Sequence, residues 1–246
     1  MDYNQILAAK LDLQIDNNKI TDEILSCHES WEYTPPKLHQ LERGLAGKWF
    51  LSSSAEDYKN VDYGKPDPVL QQMEIVEREL RGPYIFYLTE HIDSKTRINR
   101  YDQTKSYDVN GWRWRPSLLE KIPYTKQVIE NYFEKVGLVR VFVMPDTFLV
   151  THQDYNFDAP IDAVSDEFEK CLGLSLIPSD GGVPMRIWSR ALQQVVEVPG
   201  NAMIFNDSVR HGVQKTKGYR ITIRIFGKID YSQFVNSIDM SHCYFI

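Results

Sequence analysis

Cysteine is scarce in this sequence: there are three in 246 residues, Cys27, Cys171 and Cys243, and no CxxC pair. An odd number at wide spacing argues against a disulfide framework and against a cysteine-based structural zinc site. Long hydrophobic runs are missing too. No stretch approaches the roughly 20 apolar residues that a membrane-spanning helix needs, and the opening MDYNQILAAKLDL has neither the basic flank nor the apolar stretch of a secretory signal. A soluble, cytoplasmic protein is the expectation. The chain also lacks positive charge: 28 basic against 34 acidic residues give a formal charge of −6, without the excess that binding to a phosphate backbone requires. Nucleic acid and membrane are therefore not expected as partners. With neither a repeat nor a low-complexity linker, residues 1–246 are expected to form a single domain. What is present, 42% hydrophobic and 12% aromatic residues, is enough for a sizeable core.

The chain divides by texture. ILAAKLDLQID reads as a strand, and Lys19 to Ser26 (KITDEILS) has the apolar spacing of a short helix. From Trp31 to about Lys65, Pro35-Pro36, Gly44, Gly47 and Ser52-Ser53-Ser54 predict irregular loops with one or two short strands. Asp67 to Leu80 opens with Asp-Pro and continues in helix formers, a helix start signal. Tyr84 to Leu88 reads as a strand, and Ser117 to Val136 as a helix interrupted at Pro123. After Gly137 the runs Leu138–Met144, Thr147–Thr151, Leu172–Ile177, Met185–Trp188, Gln194–Val198, Ala202–Phe205 and Tyr219–Lys228 are short and β-rich, separated by Pro, Gly, Asp or Asn. Such spacing predicts a sandwich or barrel with the preceding helices packed on one sheet. The expected division is residues 1–137 for supporting strands and helices, 138–228 for the β-core and 229–246 for a C-terminal segment.

With the three cysteines set aside, the six histidines are the scarcest versatile side chains. His152-Gln153-Asp154 follows the apolar run TFLV, and residues two apart on an extended chain point to one side, so both can reach one ion. The HxD pattern is weak alone, since His91-Ile92-Asp93 is a second copy. What separates them is the sequel. His211 follows the strand-like NAMIF, and nine residues later Arg220 sits in YRITIRIF. Two histidines and one carboxylate form the facial set of non-haem Fe(II) oxygenases, whereas a closed set of four ligands would have suggested zinc. His91 and Asp93, followed by Ser94-Lys95-Thr96, read as a turn. His28, His39 and His242 sit beside polar or irregular segments and read as solvated or capping side chains.

Together, VRVFVMPDTFLVTHQDY and PGNAMIFNDSVRHGVQKTKGYRITIRIFG resemble the Fe(II)/2-oxoglutarate-dependent dioxygenases. The nearest likeness is to the aspartyl/asparaginyl β-hydroxylase-like branch that includes cis-proline hydroxylases. The resemblance covers about Leu138 to Gly227, with a looser likeness before it. It implies a mainly β fold with flanking helices around a double-stranded β-helix, the jelly-roll or cupin-like core. It further implies that His152, Asp154 and His211 bind Fe(II), that Arg220 holds the distal carboxylate of the co-substrate 2-oxoglutarate, and that O2 is consumed. Related halogenases have Gly or Ala where Asp154 stands, so the resemblance implies hydroxylation, desaturation or cyclisation.

The last strand supports this through its alternation. Tyr219, Ile221, Ile223 and Ile225 suit a hydrophobic layer, while Arg220, Thr222, Arg224 and Phe226 share the other face. An inward arginine needs an anion, because an unpaired buried charge is costly. A 2-oxoglutarate carboxylate would satisfy Arg220 in a bidentate pair, with Thr222 as a further donor. Arg140, Arg224, Trp112 and Asp158 are the candidate substrate contacts. For Arg140 and Arg224 a paired structural role stands as the alternative, and for Trp112, in a Trp-Arg-Trp-Arg segment, the choice is between a substrate-covering loop and ordinary packing. The expected substrate is a small carboxylate-bearing molecule, a free amino acid in the first instance. The alternatives are a peptide or protein side chain, a non-catalytic β-barrel module holding a metal or small acid, and a cupin-like metal enzyme without 2-oxoglutarate. The oligomeric state is open.

Overall fold

In the computed structural model the described residues are 6–33, 83–92, 111–145, 149–152, 172–189, 191–206, 211–213 and 216–245. The chain opens with β1 (Ile6–Leu11) and α1 (Asn17–Ser26), then β2 (Glu32–Tyr33), β3 (Tyr84–Tyr87), β4 (Thr89–His91), β5 (Trp112–Trp114) and α2 (Pro123–Glu130). Eight strands follow: β6 (Phe133–Pro145), β7 (Leu149–His152), β8 (Leu172–Asp180), β9 (Met185–Ser189), β10 (Gln194–Val198), β11 (Ala202–Asn206), β12 (His211–Val213) and β13 (Tyr219–Ile229). A final strand, β14 (Ile238–Phe245), closes the series.

The eight strands β6 to β13 are dealt between two facing sheets. β11-β8-β13-β6 lie side by side in the larger sheet, and β10-β9-β12-β7 form the smaller one. The chain visits them in the order larger, smaller, larger, smaller, smaller, larger, smaller, larger. That antiparallel winding is a jelly-roll, or double-stranded β-helix. The larger sheet is extended by β14-β1 beyond β11 and by β3-β2 beyond β6, while β4 and β5 form a separate pair.

Strand parity creates two hydrophobic layers. Val139, Val141 and Val143 of β6, Leu174 and Leu176 of β8, Ile204 of β11 and Ile221, Ile223 and Ile225 of β13 are buried on the outer face of the larger sheet. They pack there with Ile20 and Ile24 of α1 and Val128 and Ile129 of α2. The alternate residues, including Met144, Ile177, Met203 and Phe205, turn inward and meet Met185, Ile187, Val196, Val198 and Val213 of the smaller sheet. Each fully buried Ile, Val or Leu contributes roughly 1.5–3 kcal/mol of transfer free energy, so the outer layer anchors the helices and fixes which face of β13 is left for the interior.

Helix α1 starts where the sequence supplies a cap: the Asp16 carboxylate accepts from the Lys19 N–H at 3.0 Å. Its Ile20 and Ile24, four residues apart, are both buried. Glu23 joins the two helices. Its carboxylate accepts from the Tyr124 N–H (2.9 Å), the Thr125 N–H (2.7 Å) and the Thr125 hydroxyl (2.7 Å), and so caps the first turn of α2. Glu23→Ala is expected to cost about 1–2 kcal/mol, read from the midpoint of urea unfolding at an unchanged slope.

Several sequence expectations need correction. The helix expected over Ser117 to Val136 is only α2, preceded by a single 3-10 turn at Pro116–Leu118. Phe133 already begins β6, because it, Lys135 and Val136 pair with Ile229, Lys228 and Gly227 of β13. His91, expected in a turn, ends β4 and lies opposite Trp112, while Asp93 is outside the described residues. Trp112 to Trp114, weighed as a loop, form β5. Tyr219 does not join the hydrophobic face of β13, being 55% exposed. Besides β4 and β5, the strands β12 and β14 were not anticipated. The expected helix over Asp67 to Leu80 and most of the loop region from Trp31 to Lys65 lie outside the described residues. Among those described, no helix is long and apolar enough to cross a membrane.

Candidate functional site

The three-residue strand β12 lies between β7 and β9. Its His211 stands opposite His152 of β7 on one side and opposite Ile187 of β9 on the other. Residues directly opposite one another share a face of the sheet, with their Cβ atoms about 4.5–5.5 Å apart. Ile187 belongs to the inner hydrophobic layer, so the positions of both histidines fall on the barrel's inner face. His211 is buried, and its ring lies 5.0 Å from that of Phe205 at 63°, edge towards face. Among the described residues no three His, Cys, Asp or Glu side chains converge. Asp154 and Asp158 lie outside them.

In the larger sheet, β13 carries Arg220 at its entry. Its Cα partners are Met144 on β6 and Asp180 on β8. The side chain is 1% exposed, the largest among the fully buried ones. One nitrogen, Nη1, donates to the carbonyls of Asp180 (2.9 Å) and Val183 (2.6 Å). The other two, Nε and Nη2, are buried with no hydrogen-bond partner among the described residues. A buried donor left unmet costs about 1–3 kcal/mol, more for a charged group. Burial pulls the guanidinium down from its ordinary value to about 10, against the opposing pull of the Asp180 carboxylate. Among the described residues Arg220 is thus a dry cation with two donor nitrogens unused. The turn after β8 is pressed against it: Gly181 has φ +62°, and a Cβ there would lie 2.8 Å from Thr216 Cβ and 3.1 Å from Arg220 Cβ.

Thr222 follows two residues on, 7% exposed and opposite Phe142. Arg224 comes next on the same face. Its Nη1 donates to the Gly173 carbonyl (2.7 Å) and the Ser175 hydroxyl (3.4 Å), and Nη2 to the Phe205 carbonyl (3.0 Å). Its Cζ lies 3.8 Å from the Phe205 ring centre and 4.8 Å from that of Phe226. Arg140 is the direct Cα partner of Arg224, is half-buried, and has its guanidinium 4.7 Å from the Phe142 ring centre. Trp112, 7% exposed, packs on Leu138 and Phe226. Arg220 and Phe226 are six residues apart, roughly 20 Å at the rise of an antiparallel strand, so Arg220 and Trp112 stand towards opposite ends of the inner face.

Phe205, Gly173 and Ser175 escaped the sequence reading. A faint signal exists in LGLSL, where small residues alternate with leucines: Gly173 and Ser175 leave inner-face room that the Arg224 guanidinium fills.

No protein-family model matches this chain, and no curated protein does. Solved structures similar to it include the following three. One is a prolyl hydroxylase from Trichoplax adhaerens in complex with a hypoxia inducible factor oxygen degradation domain peptide fragment, at 12% identity over 96% of this chain and 88% of that one, TM-score 0.45. Another is a 2OG-Fe(II) oxygenase family oxidoreductase from Burkholderia pseudomallei, at 11% identity over 70% and 88%, TM-score 0.35. The third is a Pseudomonas putida prolyl-4-hydroxylase, at 13% identity over 85% and 98%, TM-score 0.32. The jelly-roll assignment rests on this chain's own strand order.

Proposed function

We propose that this chain is an Fe(II)/2-oxoglutarate-dependent oxygenase that hydroxylates an unactivated C–H bond of a small carboxylate-bearing substrate, a free amino acid in the first instance. The observation that carries the proposal is Arg220: a buried guanidinium with two unmet donors, in the same barrel interior as the paired positions of His152 and His211. The donors fit one carboxylate in a bidentate pair. The donor set fits Fe(II), with two imidazoles and, two residues beyond His152, the carboxylate of Asp154.

In this reading His152, Asp154 and His211 hold the metal, and Arg220, helped by the Thr222 hydroxyl, holds the distal carboxylate of 2-oxoglutarate. Bound Fe(II) with 2-oxoglutarate and O2 supplies the oxidising power for C–H cleavage. No acid–base side chain is then required of the protein. Its residues fix the co-substrate, present the C–H bond and exclude water. Arg220 does the first at one end of the barrel. The substrate side is assigned in this reading to Arg140, Trp112 and Asp158, and the half-buried Arg140 would suit a substrate carboxylate. A carboxylate at Asp154, where related halogenases have a small residue, favours hydroxylation over halogenation. Residues 1–246 act in this reading as one catalytic domain.

The test is direct. Anaerobic addition of Fe(II) and 2-oxoglutarate is expected to give a weak visible charge-transfer band. Aerobic incubation with a panel of free amino acids is expected to yield succinate together with a product one oxygen heavier, read by mass spectrometry. Turnover only with peptides would move the substrate to a peptidyl side chain. Binding of 2-oxoglutarate without succinate formation on any candidate would favour a small-acid binding module.

A further inference from the structure

We infer that Arg224 is a positioning residue that sets the orientation of the His211 imidazole through the ring of Phe205. The inference rests on the reading of His211 as a metal ligand, and it adds a residue that neither HxD nor the distal histidine and arginine would identify. Three contacts carry it. The Arg224 guanidinium lies over the Phe205 ring at 3.8 Å; its Nη2 donates to the carbonyl of the same Phe205 at 3.0 Å; and the Phe205 ring meets the His211 ring at 5.0 Å. Phe205 is therefore held at both backbone and ring by one side chain, and turns its ring to His211. All three residues are buried, at 3% exposure each.

The surroundings are shaped for the guanidinium plane rather than for a positive charge in general. Nη1 donates to the Gly173 carbonyl, and a Cβ at Gly173 would lie 2.9 Å from Arg224 Cζ, so only glycine leaves this space. Phe226 covers the group at 4.8 Å. An ammonium could neither lie flat between two rings nor donate in one plane to the carbonyls of two strands, β8 and β11. A planar cation against an aromatic face in a dry interior is a strong and directional contact. With both Nη atoms donating to main chain, Arg224 is placed to brace β8, β11 and β13 around the metal-binding face. Groups that orient a metal-binding histidine without touching the metal commonly change metal affinity 10–100-fold when removed.

The test uses the full chain, with Co(II) as an oxygen-stable metal probe. Arg224→Met and Phe205→Leu are expected to weaken Co(II) binding by about 10-fold or more. In the metal-free protein, labelled with 13C-histidine, they are expected to shift and broaden the His211 ring resonance, identified by its absence in His211→Ala. Arg224→Lys keeps the charge and is expected to behave like Arg224→Met. Ile223→Ala, on the opposite face of the same strand, controls for stability: it lowers the melting temperature while leaving Co(II) affinity and the His211 resonance unchanged. Unaltered affinity and an unaltered His211 resonance in folded Arg224→Met and Phe205→Leu would overturn the inference. A wild-type chain that binds no Co(II) would overturn the metal reading instead, and the resonance of the metal-free protein would still decide whether Arg224 orients His211.

Discussion

In the proposed reading, Arg220→Met is expected to remove most or all of the stabilisation that 2-oxoglutarate gives the folded chain while changing the ligand-free stability little. In the free protein the guanidinium is nearly dry, donates only through Nη1 to two carbonyls and leaves Nε and Nη2 unmet. Replacing it with an apolar side chain of similar length loses two hydrogen bonds, each worth about 1.5–3 kcal/mol when a charged group donates. It also relieves a desolvated charge and two unmet donors, which offsets much of that loss. Binding is different, because a carboxylate that pairs with the two free donors has no substitute partner. Losing a buried charge pair of this kind costs about 2–5 kcal/mol, or roughly 30-fold to several thousand-fold in affinity. At a concentration 100 times its dissociation constant, a ligand stabilises by about 2.7 kcal/mol, a shift of roughly 5–10 °C for a chain of this size. The measurement is thermal unfolding with and without 2-oxoglutarate, with Mn(II) present. Wild type should shift fully, and Arg220→Met by no more than about a third as much. An equal shift in both would remove Arg220 from the co-substrate site.

The features legible in the sequence are those governed by local alternation. β13 is the clearest: two-residue periodicity separated Ile221, Ile223 and Ile225 from Arg220, Thr222 and Arg224, and the structure puts the first set under the helices and the second inside the barrel. Where pairing overrides local preference the reading failed. The apolar period of Ser117 to Val136 runs through Tyr132 and Phe133, but β13 claims the chain from Phe133 onwards, and strand pairing outweighs the modest differences in helix propensity. β12 was invisible for a related reason. His211-Gly212-Val213 has little β preference of its own and is a strand because β7 and β9 flank it. β14 is an edge strand of mixed polarity, with burial that follows no alternation. The site divides in the same way. Arg220 could be found because one strand's parity exposes it, whereas Phe205 could not, since its contacts join β11, β12 and β13.

The remaining large effect concerns His211. His211→Ala is expected to remove metal binding and with it all 2-oxoglutarate turnover, while leaving the fold intact. The strand is held by main-chain pairing to β7 and β9, and β12 keeps Val213 in the inner hydrophobic layer. The cost to stability is that of a cavity beside Phe205, about 2–5 kcal/mol by comparison with buried aromatic and aliphatic truncations. In the proposed reading, loss of one of three ligands falls on function instead, since the remaining pair cannot define the facial set. His152→Ala is expected to do the same, because its Cα is the direct partner of His211. His91→Ala, in the second HxD, should retain full metal affinity: His91 pairs with Trp112 in the separate two-stranded β4–β5 sheet, and not in the sheet that carries β12. Calorimetric Co(II) titration of the three variants, with circular dichroism to verify folding, separates them. If His91→Ala lost metal binding and His211→Ala kept it, the metal-binding face would lie at the β4–β5 pair, and the reading of the barrel interior would fall with it.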